Sequence, residues 1–298
     1  MKISKYYWFV ISGATLSGLV VFGGQVLSSF GLSLAEISII PFIISLVVLI
    51  PVIVSKRGWK INKQFLPLMI FYGFVEAIII LCEFGALKLG ASVATTVFLL
   101  YTQPLWTMIF SSVILKEKIS RQDIYACLLV LVGILLLANP LKLQGALPGI
   151  IVALVGGLGL SGWVVLGSYA SKKNIPPLST YFISRLFMLI FLSAIFFIMP
   201  RFTQEQEIIG WGLNFSIYVW LAIALFGIVA ELFNNLCYLK GVEKVPTMKA
   251  GIIMLLEPIV GAILATIFLH QPMTLGIIIG GALILSANYL VIRKEDAK

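Results

Sequence analysis

Charge is scarce in this sequence. Asp, Glu, Lys and Arg make up 11% of it against 60% hydrophobic residues, whereas a water-soluble domain carries about 25% charged residues. A soluble fold is therefore excluded. Histidine is scarcer still: His270 is the only one, at the end of an apolar run, and it reads as a solvated end residue. The three cysteines, Cys82, Cys127 and Cys237, show no CxxC spacing, so a disulfide framework or a His/Cys metal centre has no residues to build on. They read as small core residues, and no metal or cofactor is expected. Phosphate-cradling glycine motifs are missing as well, which excludes an ATP-driven pump unless another chain supplies the motor. Long polar connections are also absent, the longest being 14 residues at 201–214.

What the chain has is apolar runs. Roughly 20 apolar residues cross about 30 Å of hydrocarbon, and ten such runs are present, at about 6–28, 35–55, 65–87, 91–115, 123–139, 147–170, 178–200, 215–239, 246–269 and 272–292. They predict an all-α integral membrane protein embedded in the lipid bilayer. The net charge of +9 then concerns topology rather than nucleic acid. With the N-terminus placed inside, 17 of the 21 basic residues fall on one side, Lys88, Lys142 and Arg201 fall on the other, and Arg185 lies within the seventh span. Losing or gaining one span would scramble that ratio. It supports the count of ten and the inside location of both termini, and the short loops suit a cell (inner or plasma) membrane, so a multi-pass protein with both termini cytoplasmic is expected. Lys2 and Lys5 precede the first run as in a signal sequence, but no small-residue cleavage site follows, so the run reads as a retained helix.

The chain is also written twice. A shift of 144 lays Gly13–Gly24 on Gly157–Ser168 with seven identities in twelve, SGLVVFGG at 17–24 facing SGWVVLGS at 161–168. The same shift sets Pro41 opposite Arg185, and later a shift of 154 pairs Gln103-Pro104 with Glu257-Pro258 and Ser120 with Thr274. Apolar composition alone matches Leu with Val, but not Gly, Ser and Pro together. The expected units are residues 1–145 and 146–298. Five spans is an odd number, so the second unit enters the membrane from the opposite side. Inverted repeats of this kind let two halves exchange conformations and open a central site to each side in turn.

Five plus five short-looped helices, an early Gly in each half, Arg185, and the segments QPLWTMIFSSVILKEKIS (103–120) and EPIVGAILATIFLHQPMT (257–274) resemble the EamA family of the drug/metabolite transporter superfamily. The resemblance covers essentially the whole chain. It departs from the family at Ser17 and Ser161, where Trp is common, at Pro41, where the first half would carry Arg, and at Gln271, where Glu is usual. The resemblance implies ten helices around a central cavity and alternating access for small metabolites, often outward.

Ionisable side chains inside a membrane are costly and need a reason. In the third span Tyr72, Glu76 and Glu83 share one helical face, and in the eighth Glu231, Asn234, Asn235 and Tyr238 do the same. Gly73 pairs with Gly227, which brings Glu76 and Glu231 within one residue of equivalence, so the two stripes are expected to face each other across one cavity. The Asn pair could equally bind helices together. With Tyr101 and Trp163, these residues are the candidate substrate contacts. Glu76, Glu83, Glu231 and Glu257 are the candidate proton-coupling groups, and Pro104 and Pro258 the candidate hinges, since Pro removes a backbone bond. Arg185 is expected to pair with a carboxylate. Four carboxyls against one cation favour a small-molecule substrate bearing an amine or quaternary nitrogen, with aromatic rings adding cation–π contacts. Lys116-Glu117-Lys118 reads as a loop with a local ion pair. The expected function is a secondary transporter, exporting amino-acid-like or other amine-bearing metabolites in exchange for protons, and not an enzyme. The alternative, a membrane-embedded enzyme acting on lipid-linked groups, would need a catalytic cluster that one terminal His does not provide.

Overall fold

The computed structural model describes residues 4–56, 61–91, 93–139, 141, 144–270 and 272–293. The basic residues Lys2, Arg57, Lys60, Lys142, Lys294 and Lys298, and Gln271, lie outside the described residues. Among the described residues ten segments are long and apolar enough to cross a membrane, matching the ten runs read from the sequence. Among the described residues the only β pairing is a single bridge between Ala91 and Gly145. That is what hydrocarbon demands, because only a helix satisfies its backbone groups within one segment. Large apolar side chains such as Val47, Ile190 and Phe197 point outward, where lipid is their solvent.

The first three spans are α1 (Lys5–Ser29), α2 (Leu34–Lys56) and α3 (Leu66–Lys88). The fourth is divided into α4 (Val93–Leu100) and α5 (Gln103–Ile114), and the fifth is α6 (Arg121–Ala138). The second half follows with α7 (Leu147–Lys172) and α8 (Pro177–Ile198), then a short α9 (Gln206–Ile209) inside the long connection. The eighth span runs from α10 (Ile217–Leu225) through a π-helical segment (Phe226–Phe233) into α11 (Asn234–Gly241). The ninth is divided into α12 (Thr247–Met254) and α13 (Leu256–Phe268), and the tenth is α14 (Leu275–Arg293).

Both broken spans break at equivalent points. Pro104 and Pro258 occupy the first turns of α5 and α13. A proline ring clashes with the carbonyl four residues earlier, here Leu100 and Met254, which are the last residues of α4 and α12. The entry to α6 carries a capping box, with Ser120 Oγ accepting from Asp123 N and the Asp123 carboxylate accepting from Ser120 N at 2.8 Å. Its repeat partner Thr274 likewise accepts from Ile277 N at 3.3 Å. Matched polar residues in the two copies thus do matched work.

Packing follows the same two-fold scheme. The third span packs on the seventh and the second on the eighth; the first packs on the eighth and ninth, the sixth on the third and fourth, and the fifth on the tenth. Each pairing crosses from one five-helix repeat to the other, so neither repeat buries its inner face alone. Glycines set the closest crossings. A Cβ on Gly73 would stand 2.5 Å from Ser184 O and 2.7 Å from Met188 N, and one on Gly227 would stand 2.3 Å from Pro41 O. These backbone atoms cannot yield as a side chain could. Gly73→Ala is expected to lower stability by about 1–3 kcal/mol through overpacking, seen as a lower thermal midpoint of the purified protein; an unchanged midpoint would mean that α8 shifts freely.

Candidate functional site

The polar residues of the third, seventh and eighth spans meet at a buried cluster. Arg185 on α8 places Nη1 3.9 Å from Glu76 Oε2 and Nη2 3.5 Å from Glu231 Oε2. Its guanidinium also lies over the rings of Phe42 (4.9 Å) and Tyr181 (5.4 Å), and Nη1 donates to Met188 Sδ at 3.0 Å. All three charged side chains are at least nine-tenths buried. The π segment explains the register: Glu76 follows Gly73 at the third position but Glu231 follows Gly227 at the fourth, and the wide turn absorbs the extra residue. The two stripes do face each other, but across a cation rather than across open space. Asn235 Nδ2 donates to Glu231 O at 2.8 Å, tying the turn after the π segment, and Asn234 is buried, its backbone oxygen 3.1 Å from where a Cβ on Gly13 of α1 would stand.

A second centre lies between the first, fourth and ninth spans. Ser17 Oγ donates to Glu257 Oε2 at 2.7 Å, and Tyr101 OH donates to Glu257 Oε1 at 3.1 Å. Glu257 stands directly after the break at Leu255, and Tyr101 stands in the break between α4 and α5. Glu83, two turns beyond Glu76 on α3, lies within electrostatic range of Glu257 and Glu231. Among the described residues no Lys or Arg pairs with Glu83 or Glu257, and both are only partly buried. The repeat-related position is neutral: Gln103 Nε2 donates to Thr107 Oγ1 (2.7 Å), which donates to Ser161 Oγ (3.1 Å). Ser17 thus bonds the acid directly, whereas Ser161 is linked to the amide through the Thr107 hydroxyl. The sequence signalled them only as co-aligned serines, and it gave no sign of Thr107.

The aromatic candidates divide. Tyr101 touches the carboxylate, whereas Trp163 and Tyr238 stack on each other with centroids 4.2 Å apart. Tyr238 OH donates to Val164 O at 2.7 Å. Gly167 makes room for this layer, since a Cβ there would lie 2.9 Å from Tyr72 OH and 3.0 Å from Tyr238 Cε1. With Tyr7, Tyr181, Ile253 and Met254 these residues form one buried cluster. It fills the half of the bundle that ends at Lys5, Lys172, Lys240 and Lys249, hereafter the basic end. A cavity of about 540 Å³, lined by Phe9, Lys56, Leu178, Phe233 and Lys240 among others, lies near that end, away from both carboxylate centres.

These features define a multi-pass protein of two inverted repeats enclosing buried carboxylates. The chain matches the EamA-like transporter family over residues 4–139 and again over 147–293, and it belongs to that family of membrane transporters. It is 24% identical over 290 residues to an uncharacterized transporter of Clostridium kluyveri, covering 93% of this chain and 90% of the relative. An uncharacterized transporter of Archaeoglobus fulgidus is 24% identical over 246 residues, with 82% and 83% covered. The pseudopaline exporter CntI of Pseudomonas aeruginosa is 24% identical over 186 residues, 62% of each chain. A solved crystal structure shares the fold with a TM-score of 0.78 at 16% identity, covering 99% of both chains.

Proposed function

We propose that this protein is a secondary active exporter that binds an amine-bearing, amino-acid-like solute at Glu257 and Glu83 and moves it by alternating access. The observation that carries this reading is the contrast between the two carboxylate centres. Glu76 and Glu231 share Arg185, so a cationic solute would have to compete with a covalently tethered guanidinium. Among the described residues Glu257 accepts from two hydroxyl donors and pairs with no Lys or Arg, and a hydroxyl leaves a carboxylate's charge uncompensated. An ammonium group brought to Glu257 and Glu83 would supply the missing charge, and Tyr101 would orient the acid. When no solute is present, protons can take its place on the same carboxyls, which would couple efflux to the proton gradient. Both functions then share one pair of groups.

The basic end is read as cytoplasmic because positive residues stay on that side of a cell membrane. The dense cluster around Trp163 and Tyr238 lies between Glu257 and that end, so this conformation is read as closed to the cytoplasm. Trp163, Tyr72, Tyr238 and the Asn pair would meet solute only once the basic end opens. Pro104 and Pro258 mark where the half-helices pivot.

The test is reconstitution into liposomes with labelled amino acids, amines and quaternary ammonium solutes, with and without an imposed pH gradient. Gradient-dependent flux of at least one cationic or zwitterionic solute is expected. Flux confined to anions would overturn the substrate class, and flux indifferent to the gradient would overturn the coupling. Tyr101→Phe, which removes one hydroxyl donor while Ser17 still donates to Glu257, is expected to slow transport roughly 3–10-fold, the value of an ordinary hydrogen bond of about 1 kcal/mol. A rate equal to the parent's would remove Tyr101 from the site.

A further inference from the structure

Glu117, in the loop after α5, takes no part in either carboxylate centre. Its partners are not the flanking lysines expected from the sequence. Thr247 donates to it from both backbone and side chain, with N 3.1 Å from Oε2 and Oγ1 2.7 Å from Oε1. Lys172 Nζ donates to Oε1 at 2.9 Å. Thr247 opens α12, whose N-cap position is Pro246, with no side-chain cap of its own. Helix N-termini carry unsatisfied N–H groups and partial positive charge, so Glu117 acts as a cap supplied from the other repeat. Lys172 closes α7. One carboxylate from the first repeat thus fastens the ends of two helices of the second.

The backbone is shaped to present it. Lys116 has φ 54°, a left-handed conformation uncommon outside glycine, and Glu117 N donates back to Ser111 O at 3.2 Å. The inverted repeat provides an internal comparison. Under the shift of 154, Lys116 corresponds to His270, and His270 has φ 52°. The same turn therefore ends both α5 and α13. In sequence, however, Glu117 corresponds to Gln271 and Thr247 to Val93. The turn is encoded twice, while the ionised cap and its hydroxyl partner are encoded only at the basic end.

The two elements joined here lead straight to the transport site. From the basic end α12 runs up to the break before Glu257, and α5 runs up to the break holding Tyr101. They lie side by side, with a Cβ on Gly251 placed 3.0 Å from Gln103 Nε2 and 3.1 Å from Thr107 Cγ2. We propose that Glu117 is a latch: it clamps α5 to α12 and α7, holds the basic end shut in this conformation, and must release for the site to open to that side. This rests on the alternating-access reading above. Because the ionic cap is encoded at one end only, it biases the resting protein toward the basic-end-closed state.

The experiment uses the full chain in liposomes without added solute, with Cys82, Cys127 and Cys237 replaced and spin labels at Lys118→Cys and Lys244→Cys, both exposed positions flanking the latch. The parent is expected to show one short inter-label distance. Glu117→Ala should add a longer-distance population, raising the open-to-closed ratio on the order of tenfold, as loss of charged hydrogen bonds would. Glu117→Gln and Thr247→Val should shift it less, in the same direction. Distance distributions identical to the parent's in all three variants, with or without lowered thermal stability, would overturn the latch and leave Glu117 a structural cap. Flux in the same liposomes is read separately. If the variants open but the parent carries no solute, the latch stands and the transport reading falls.

Discussion

Replacing Arg185 with leucine is expected to cost about 3–5 kcal/mol of stability, because it leaves two buried carboxylates without their cation. Glu76, Glu231 and Arg185 are each at least nine-tenths buried, so neither acid can turn to water instead. The purified variant should show a thermal midpoint lowered by many degrees, or should fail to accumulate. The triple variant Arg185→Leu, Glu76→Gln, Glu231→Gln separates charge from shape. Removing all three charges together should restore much of the lost stability, since a buried ion cluster is worth little against neutral groups of similar volume. A triple variant no more stable than Arg185→Leu would show that the arginine holds the bundle by packing on Phe42 and Tyr181 and not by pairing.

Glu257→Gln is expected to reduce transport about 10–100-fold while leaving the folded yield unchanged. The amide keeps the size; its oxygen can still accept from one of the two hydroxyls that donate to the acid at 2.7 and 3.1 Å, and its NH2 can donate to the other once that hydroxyl turns, so the local structure has little reason to change. What it removes is the charge that a solute ammonium or a proton would use, and hydrogen bonds to charged groups are worth about 1.5–3 kcal/mol. The measurement is initial flux per folded transporter in liposomes, with binding of the same solute followed by thermal shift. Flux within twofold of the parent would place the solute elsewhere, with the Arg185 cluster as the remaining candidate. Proton coupling adds a further expectation: any residual flux of Glu257→Gln should respond less to the pH gradient than the parent's.

Much of the site was readable one helix at a time. Spacing put Glu76 and Glu83 on one face of α3 and Glu231 with Asn234 and Asn235 on one face of the eighth span, because helical periodicity is a local property. The expectation that Arg185 pairs with a carboxylate was also readable, since an arginine in hydrocarbon has few other partners. What could not be read was which carboxylates it takes. That choice follows from how α8 crosses α3 at Gly73, where the backbones nearly touch, and from one extra residue absorbed by the π segment. The local ion pair expected at Glu117 failed for the same reason. Thr247 lies 130 positions away in sequence, and only folding brings the start of α12 to it.

The sequence by itself determined the ten spans, the doubled five-helix plan, the placement of positive charge and the positions of both broken helices. Hydropathy, loop charge and proline act within a few residues or along one segment, so they survive translation into sequence pattern. Tertiary structure decided how four acids within the spans are divided: two paired with Arg185, and two with no ion-pair partner among the described residues, at the junction of the repeats. It also decided that Trp163 and Tyr238 face each other and that Glu117 ties the repeats together. Ion pairing and ring stacking fall off within a few ångströms, and those separations between distant segments are set by helix packing alone.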